Sequence, residues 1–97
     1  MVRPTSNKLL HYMNYYFIYV LRGRRGFIYV GYTTDYKKRI KRHNNGEVQS
    51  TKAFKPFRLI FLEVYINKSD AKRREKYLKT SKGRTTLKAM LKNTLGK

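Results

Sequence analysis

The chain has no cysteine, which removes disulfides, thiolate zinc centres and RING-like appendages from the possible readings. It also lacks a long apolar run. The longest, residues 15–21, is the size of a strand, whereas a membrane span needs roughly 18 or more apolar residues. Residues 1–14 contain the pair Leu9-Leu10 but no continuous apolar stretch and no small-residue cleavage site, so they do not read as a secretory signal. A cytoplasmic protein is expected, with residues 1–14 as a loosely ordered tail, 15–97 as the folded domain, and Met13 as a second candidate start. Acidic residues are scarcest of all: five, against 24 Lys and Arg.

That imbalance leaves a formal net charge of +19 on 97 residues. Such an excess displaces counterions from a polyphosphate whatever its sequence, so nucleic acid is the expected partner, DNA first and RNA second. An acidic membrane would call for a continuous basic amphipathic helix, which the chain does not have. No small-molecule cofactor is implied, and the chain is taken as a monomer. Its length suits one domain with one modest core, leaving no room for a separate recognition domain, so sequence specificity should be weak. Charge alone does not separate binding from cutting.

Two stretches, 15–21 and 27–33, are rich in aromatic and β-branched residues, and Gly23-Arg24-Arg25-Gly26 between them has turn chemistry. They are expected to form a hairpin with Tyr19 opposite Tyr29. That pairing puts Ile18, Val20, Ile28 and Val30 on an aliphatic face, and Phe17, Tyr19, Leu21, Phe27, Tyr29 and Gly31 on an aromatic one. Thr34 or Asp35 can cap a helix over about 36–44, which Asn44-Asn45-Gly46 ends. Residues 47–55 read as a polar loop, and Pro56 introduces a third strand reaching Ile66. Ser69 or Asp70 caps a second helix, Lys82-Gly83 breaks it, and Leu87, Met90, Leu91 and Leu95 recur at helical spacing in a last one. The order ββαβαα argues an α+β domain, a small antiparallel sheet covered by helices.

Helical geometry sorts the charges. On the first helix Tyr36, Arg39, Ile40 and His43 share one arc, while Lys37, Lys38, Lys41 and Arg42 point outward as phosphate-tracking residues should. The second repeats the scheme, with Ala71, Arg74, Glu75 and Leu78 on one arc and the nucleic-acid-binding candidates Lys72, Arg73 and Lys76 around it, beside Lys79. Phosphodiester cleavage needs a group that activates water and groups that stabilise charge on the phosphoryl and leaving oxygens. Cationic surroundings favour phenolate, which makes a tyrosine a plausible base here. Arg39 offers a planar bidentate grip on phosphate, and Glu75 could hold one Mg²⁺ or Mn²⁺ at the leaving group. The carboxylates are too scattered for a two-metal centre, which gathers several around ions about 4 Å apart.

The tripeptides Phe17-Ile18-Tyr19 and Tyr29-Val30-Gly31, the run from Gly31 to Arg39 leading to His43-Asn44-Asn45-Gly46, and the stretch from Ala71 to Lys79 together resemble the GIY-YIG nuclease domain. The chain is most similar to its stand-alone single-domain members, akin to the catalytic domain at the N-terminus of an excinuclease. The resemblance spans about residues 15–84. It implies a three-stranded antiparallel sheet flanked by helices and a one-metal endonuclease acting on DNA, with a preference for structure over sequence and a place in repair or recombination. It implies Tyr19 and Tyr29 as active-site tyrosines, Arg39 as the phosphate-stabilising arginine, His43 at a position held by His or Tyr, and Glu75 as the metal ligand. Phe17 departs from the family's usual glycine.

Each assignment has a plainer counterpart. The tyrosines are ordinary strand aromatics, His43 complements a helix C-terminal dipole, and Arg39 with Asp35 and Glu75 with Lys79 have the spacing of surface ion pairs. Glu63 on its apolar strand suits a carboxylate satisfied by a nearby arginine. At the level of the whole chain, the alternative is a non-catalytic nucleic-acid-binding protein whose aromatic face stacks unpaired bases.

Overall fold

The computed structural model describes residues 14–96, so all of the expected N-terminal tail but Asn14 lies outside the described residues. The hairpin forms from strands β1 (Tyr16–Arg22) and β2 (Ile28–Thr33). A tight turn joins them, closed by the Gly23 N–H donating to the Phe27 carbonyl at 2.8 Å. Within it Arg25 and Gly26 both take left-handed backbone, φ 60° and 73°, a conformation glycine supplies at the second position without strain.

Both strand boundaries at the turn lie one residue later than expected, β1 running on to Arg22 and β2 beginning at Ile28, and this resets the register. Tyr19 faces Gly31 and Leu21 faces Tyr29, so the two tyrosines are diagonal neighbours rather than a direct pair. Because the pairing has moved by two positions, an even number, every side chain keeps the face assigned from the sequence. Tyr19 now crosses the backbone of Gly31, where an added methyl would collide with Cζ and Oη of the phenol. Gly31→Ala is therefore expected to destabilise the domain by about 1–3 kcal/mol, the cost of overpacking a tight interior. Denaturant unfolding measures it, and an alanine protein as stable as wild type would mean that the ring can simply step aside.

Strand β3 (Arg58–Tyr65) pairs antiparallel with β1, giving the sheet order β2-β1-β3. The central position of β1 explains its unbroken apolar run: Ile18 to Leu21 are fully buried because both faces of the sheet are covered. On one face Ile18, Val20 and Val30 pack with Ala71, Leu78, Leu87 and Leu91, residues supplied by α2 (Lys68–Leu78), α3 (Ser81–Met90) and the residue that follows it. On the other, Tyr19, Leu21 and Phe57 pack with Ile40 of α1 (Tyr36–Asn44) and with Phe54. The aromatic face is thus a second core and not an open platform. Tyr19 is out of reach of a nucleobase, while Phe17, Phe27 and Tyr29 on the same face are only partly buried.

Asp35 caps α1 by accepting the Lys38 N–H at 3.1 Å. The cap of α2 is Asn67 rather than Ser69 or Asp70, since Asn67 has extended backbone and its side chain accepts the Asp70 N–H at 3.1 Å. Gly83 does not break α2 either. That helix stops at Leu78, Thr80 caps α3, and Gly83 sits buried in the first turn of α3 where a methyl would overlap the Tyr77 carbonyl and Leu78 Cα. The glycine marks a close helix-to-helix approach. Met90 is half exposed instead of joining Leu87 and Leu91 in the core, because α3 ends there and a four-residue α4 (Lys92–Leu95) follows. No helix among the described residues is long and apolar enough to cross a membrane.

Candidate active site

Helix α1 leaves β2 after two residues and lies across the aromatic face, so that its i,i+4 pair Arg39 and His43 both reach Tyr19. Arg39 Nε donates to the Tyr19 hydroxyl at 3.3 Å, and the same hydroxyl lies 2.9 Å from His43 Nε2. His43 Nδ1 in turn meets Thr51 Oγ1 at 2.8 Å, and Thr51 Oγ1 lies 3.4 Å from the Val48 carbonyl. Tyr19, His43 and Thr51 are all fully buried, and no buried side-chain polar atom among the described residues is left without a partner.

Burial pushes the Tyr19 phenol up to about 12, against the opposing pull of the Arg39 guanidinium. The expectation that neighbouring cations would favour phenolate therefore fails for Tyr19, because desolvation outweighs one arginine. Burial, reinforced by Arg39 and Arg42, pushes His43 down to about 4 and keeps its imidazole neutral. Arg39 is raised above its ordinary range, first by its bond to the Tyr19 hydroxyl and further by the hydroxyl of Tyr29, so both phenols bear on one guanidinium.

The histidine carries a stability consequence. Between about pH 4 and 6.5 the unfolded chain binds a proton at His43 that the folded chain refuses, so stability falls on acidification through that window and is flat above it. The His43 contribution lost by pH 4 is about 3 kcal/mol. Thermal melts of wild type and His43→Gln across pH 4 to 7.5 measure it: the variant should lose this part of the slope while keeping the part due to carboxylates. Identical slopes would remove the neutral, buried histidine.

Tyr29 is partly buried on the edge strand, its ring centroid 6.1 Å from that of Tyr19 and 5.0 Å from that of His43. Glu75 approaches this edge from α2, the helix on the opposite face. Lys79 joins the two: its Nζ is 2.9 Å from Glu75 Oε2 and 5.8 Å from the Tyr29 ring centroid. Lys72 contacts the other carboxylate oxygen at 3.6 Å while lying over the Tyr32 ring. The Glu75 side chain is only 17 % exposed, so it is held at the sheet edge instead of turning to bulk water. The Glu75–Lys79 pair expected from spacing forms. Arg39 instead spends its guanidinium on Tyr19.

Beside Arg39 lies a shallow hollow of about 420 Å³, lined by Thr33, Thr34, Asp35, Lys38, Arg39 and Arg42. Its cations and the adjoining first turn of α1 suit a phosphate. Lys37, Lys38, Lys41 and Arg42 are exposed along α1, and Lys72, Arg73 and Lys76 along α2. Two of them carry carboxylate partners off the site, Arg42 with Glu47 and Arg73 with Asp70. Glu63 is taken up by a bidentate contact from Arg74 at 3.0 and 3.1 Å and by the Tyr65 hydroxyl.

For a metal, Glu75 is the carboxylate held beside the Tyr29 edge of the sheet through Lys79, and the described residues contain no cluster of three or more His, Cys, Asp or Glu. That donor set fits a hard ion such as Mg²⁺, which keeps several waters and needs only one or two carboxylates alongside substrate phosphate. The ion would replace Lys72 and Lys79 on the carboxylate. Three residues at the site were not singled out from the sequence as functional: Gly31, which makes room for Tyr19; Lys79, which links Glu75 to Tyr29; and Thr51, which lies in a stretch that reads as polar loop. Gly31 and Lys79 had visible signals, their places in the motif stretches and, for Lys79, its i,i+4 spacing from Glu75; Thr51 had none.

A match to the family model described as the GIY-YIG catalytic domain covers residues 15–88, most of the chain. The chain belongs to the GIY-YIG family, a family of nucleases. Its similar curated proteins include a UPF0213 protein of Staphylococcus saprophyticus, 38 % identical over 77 residues, which span 78 % of this chain and 94 % of that protein. Another, from Staphylococcus epidermidis, is 38 % identical over 69 residues, or 70 % of this chain and 84 % of that one. Among solved structures, the solution NMR structure of a UPF0213 protein from Bacillus halodurans is 32 % identical with a TM-score of 0.52, covering 78 % of this chain and 84 % of that one.

Proposed function

We propose that the protein is a metal-dependent endonuclease that hydrolyses phosphodiester bonds of DNA with little sequence specificity, favouring branched or distorted substrates of the kind met in repair or recombination. The observation that carries the reading is the convergence on one guanidinium: Arg39 is held by the Tyr19 hydroxyl and lines a cationic hollow, with Tyr29 and Glu75 at the adjoining strand edge. Arg39 grips the phosphate under attack and offsets charge growing on its oxygens. Tyr29 is the tyrosine within reach of substrate and activates the attacking water, while Tyr19, buried and protonated, serves as the mount for Arg39 and His43. A divalent ion held by Glu75, Mg²⁺ or Mn²⁺, would supply Lewis-acid stabilisation of the leaving oxygen. The cations of α1 and α2 follow the backbone on either side, with affinity falling steeply as salt rises.

The test is a cleavage panel of supercoiled plasmid, flaps, junctions and single strands, with Mg²⁺, with Mn²⁺ and with chelator. Metal-dependent nicking, fastest on branched DNA, is expected. Tyr29→Phe should suppress it while leaving binding unchanged. Binding without cleavage of any member, under either metal, would replace this reading with a non-catalytic nucleic-acid-binding protein.

A further inference from the structure

The buried chain behind Arg39 has a direction that can be read from its protons. Four contacts run in series: Arg39 Nε to the Tyr19 hydroxyl, that hydroxyl to His43 Nε2, His43 Nδ1 to Thr51 Oγ1, and Thr51 Oγ1 to the Val48 carbonyl. Arg39 Nε is always a donor and the Val48 carbonyl always an acceptor, so the two ends are fixed. Neutral imidazole and a hydroxyl each supply one proton. If every link carries one, Tyr19 donates to Nε2, Nδ1–H donates to Thr51, and Thr51 donates to Val48. Reversed, the Tyr19 oxygen would take two N–H donors, its own proton would have to go to the Tyr29 hydroxyl, and the contact between Thr51 and Val48 would be two oxygens with no proton between them.

The loop is built to hold that last acceptor in place. The Val48 carbonyl also receives the backbone N–H groups of Thr51 and Lys52, at 3.1 and 3.0 Å. The turn is anchored on one side by Phe54, stacked on Phe27 at 4.0 Å between ring centroids, and on the other by Asn44, whose side chain exchanges hydrogen bonds with the backbone of Phe57. We infer that Thr51 is a positioning residue: by accepting Nδ1–H it fixes His43 as the Nδ1–H tautomer, which aims the Tyr19 proton at Nε2 and leaves the phenol oxygen free to orient Arg39. The catalytic consequence rests on the nuclease reading above. The tautomer does not.

The experiment uses the full-length chain labelled with ¹⁵N, and reads the ring nitrogens of His43 by long-range proton correlation at pH 7. The chain has only two histidines, so a His11→Gln variant assigns the spectrum. Wild type should carry its proton on Nδ1. Thr51→Ser keeps the hydroxyl and should keep both the tautomer and, within about twofold, the nicking rate. Thr51→Val keeps the shape and removes the acceptor. His43 should then move to Nε2–H or to a mixture, and nicking should fall roughly 10-fold, the scale of one lost hydrogen bond. An Nε2–H tautomer in wild type, or an unchanged tautomer in folded Thr51→Val, overturns the inference. Should Thr51→Val fail to fold, the wild-type and serine spectra decide: Nε2–H in either is fatal, and Nδ1–H in both supports the assignment. If wild type nicks no DNA, the nuclease reading falls while these spectra still decide the role of Thr51.

Discussion

Glu75→Gln is expected to abolish metal-dependent nicking, with a rate loss of roughly a thousandfold or more, while DNA binding stays at wild-type strength. The amide keeps the shape of the carboxylate but not the charge that a hard divalent ion requires. Losing several kcal/mol of leaving-group stabilisation corresponds to about that factor. The fold should hardly notice, because Glu75 contributes only helix-surface pairs with Lys72 and Lys79, of roughly 0.3–0.5 kcal/mol each. Plasmid nicking, a gel-shift titration and a melting curve on the same preparation separate the three effects. Wild-type nicking by the glutamine protein would remove the metal assignment.

Arg39→Ala should cost about 10²- to 10³-fold in cleavage, the range for deleting a preorganised group at a developing oxyanion. It removes both the guanidinium lining the hollow and the donor that meets Tyr19 at 3.3 Å. Arg39→Lys keeps a charge but loses the planar fork, so it should recover only a fraction of the activity. The contrast is Lys38→Ala in the same hollow, which should weaken binding, reduce the slope of log affinity against log salt by about one, and leave cleavage of saturated DNA nearly intact. An active Arg39→Ala enzyme, or an equal loss from Lys38→Ala, would mean that charge density and not this guanidinium drives the chemistry.

Local pattern carried most of the fold. Alternation along 15–33 identifies the strands and their faces, and the step from period two to period 3.6 after Asp35 gives α1 its limits. The errors arose where one residue type has two physical uses. Gly83 looks like a helix breaker, yet here its missing side chain admits a neighbouring helix, a demand set by contacts distant in sequence. Asn67 took the capping role expected of Ser69 or Asp70 because all three residue types compete for it. The hairpin register depended on a left-handed arginine in the turn that composition does not announce. At the site, Tyr19, Tyr29, Arg39 and Glu75 were legible because their chemistry is distinctive and they sit in motifs. Thr51 was not: a threonine among polar neighbours gives no hint that folding buries it completely against a histidine.

Strand β2 borders the sheet, and among the described residues its outer rim carries no further strand. Such a rim is normally a hazard, a row of backbone groups ready to recruit another chain into aggregates. Here Lys72 of α2 and Lys79, the residue that follows the helix, lie over Tyr32 and Tyr29 on that same rim. Two like protomers attempting to zip together there would press ammonium against ammonium. A lysine proposed to receive DNA, Lys72, would thus also disfavour strand pairing between copies at this border.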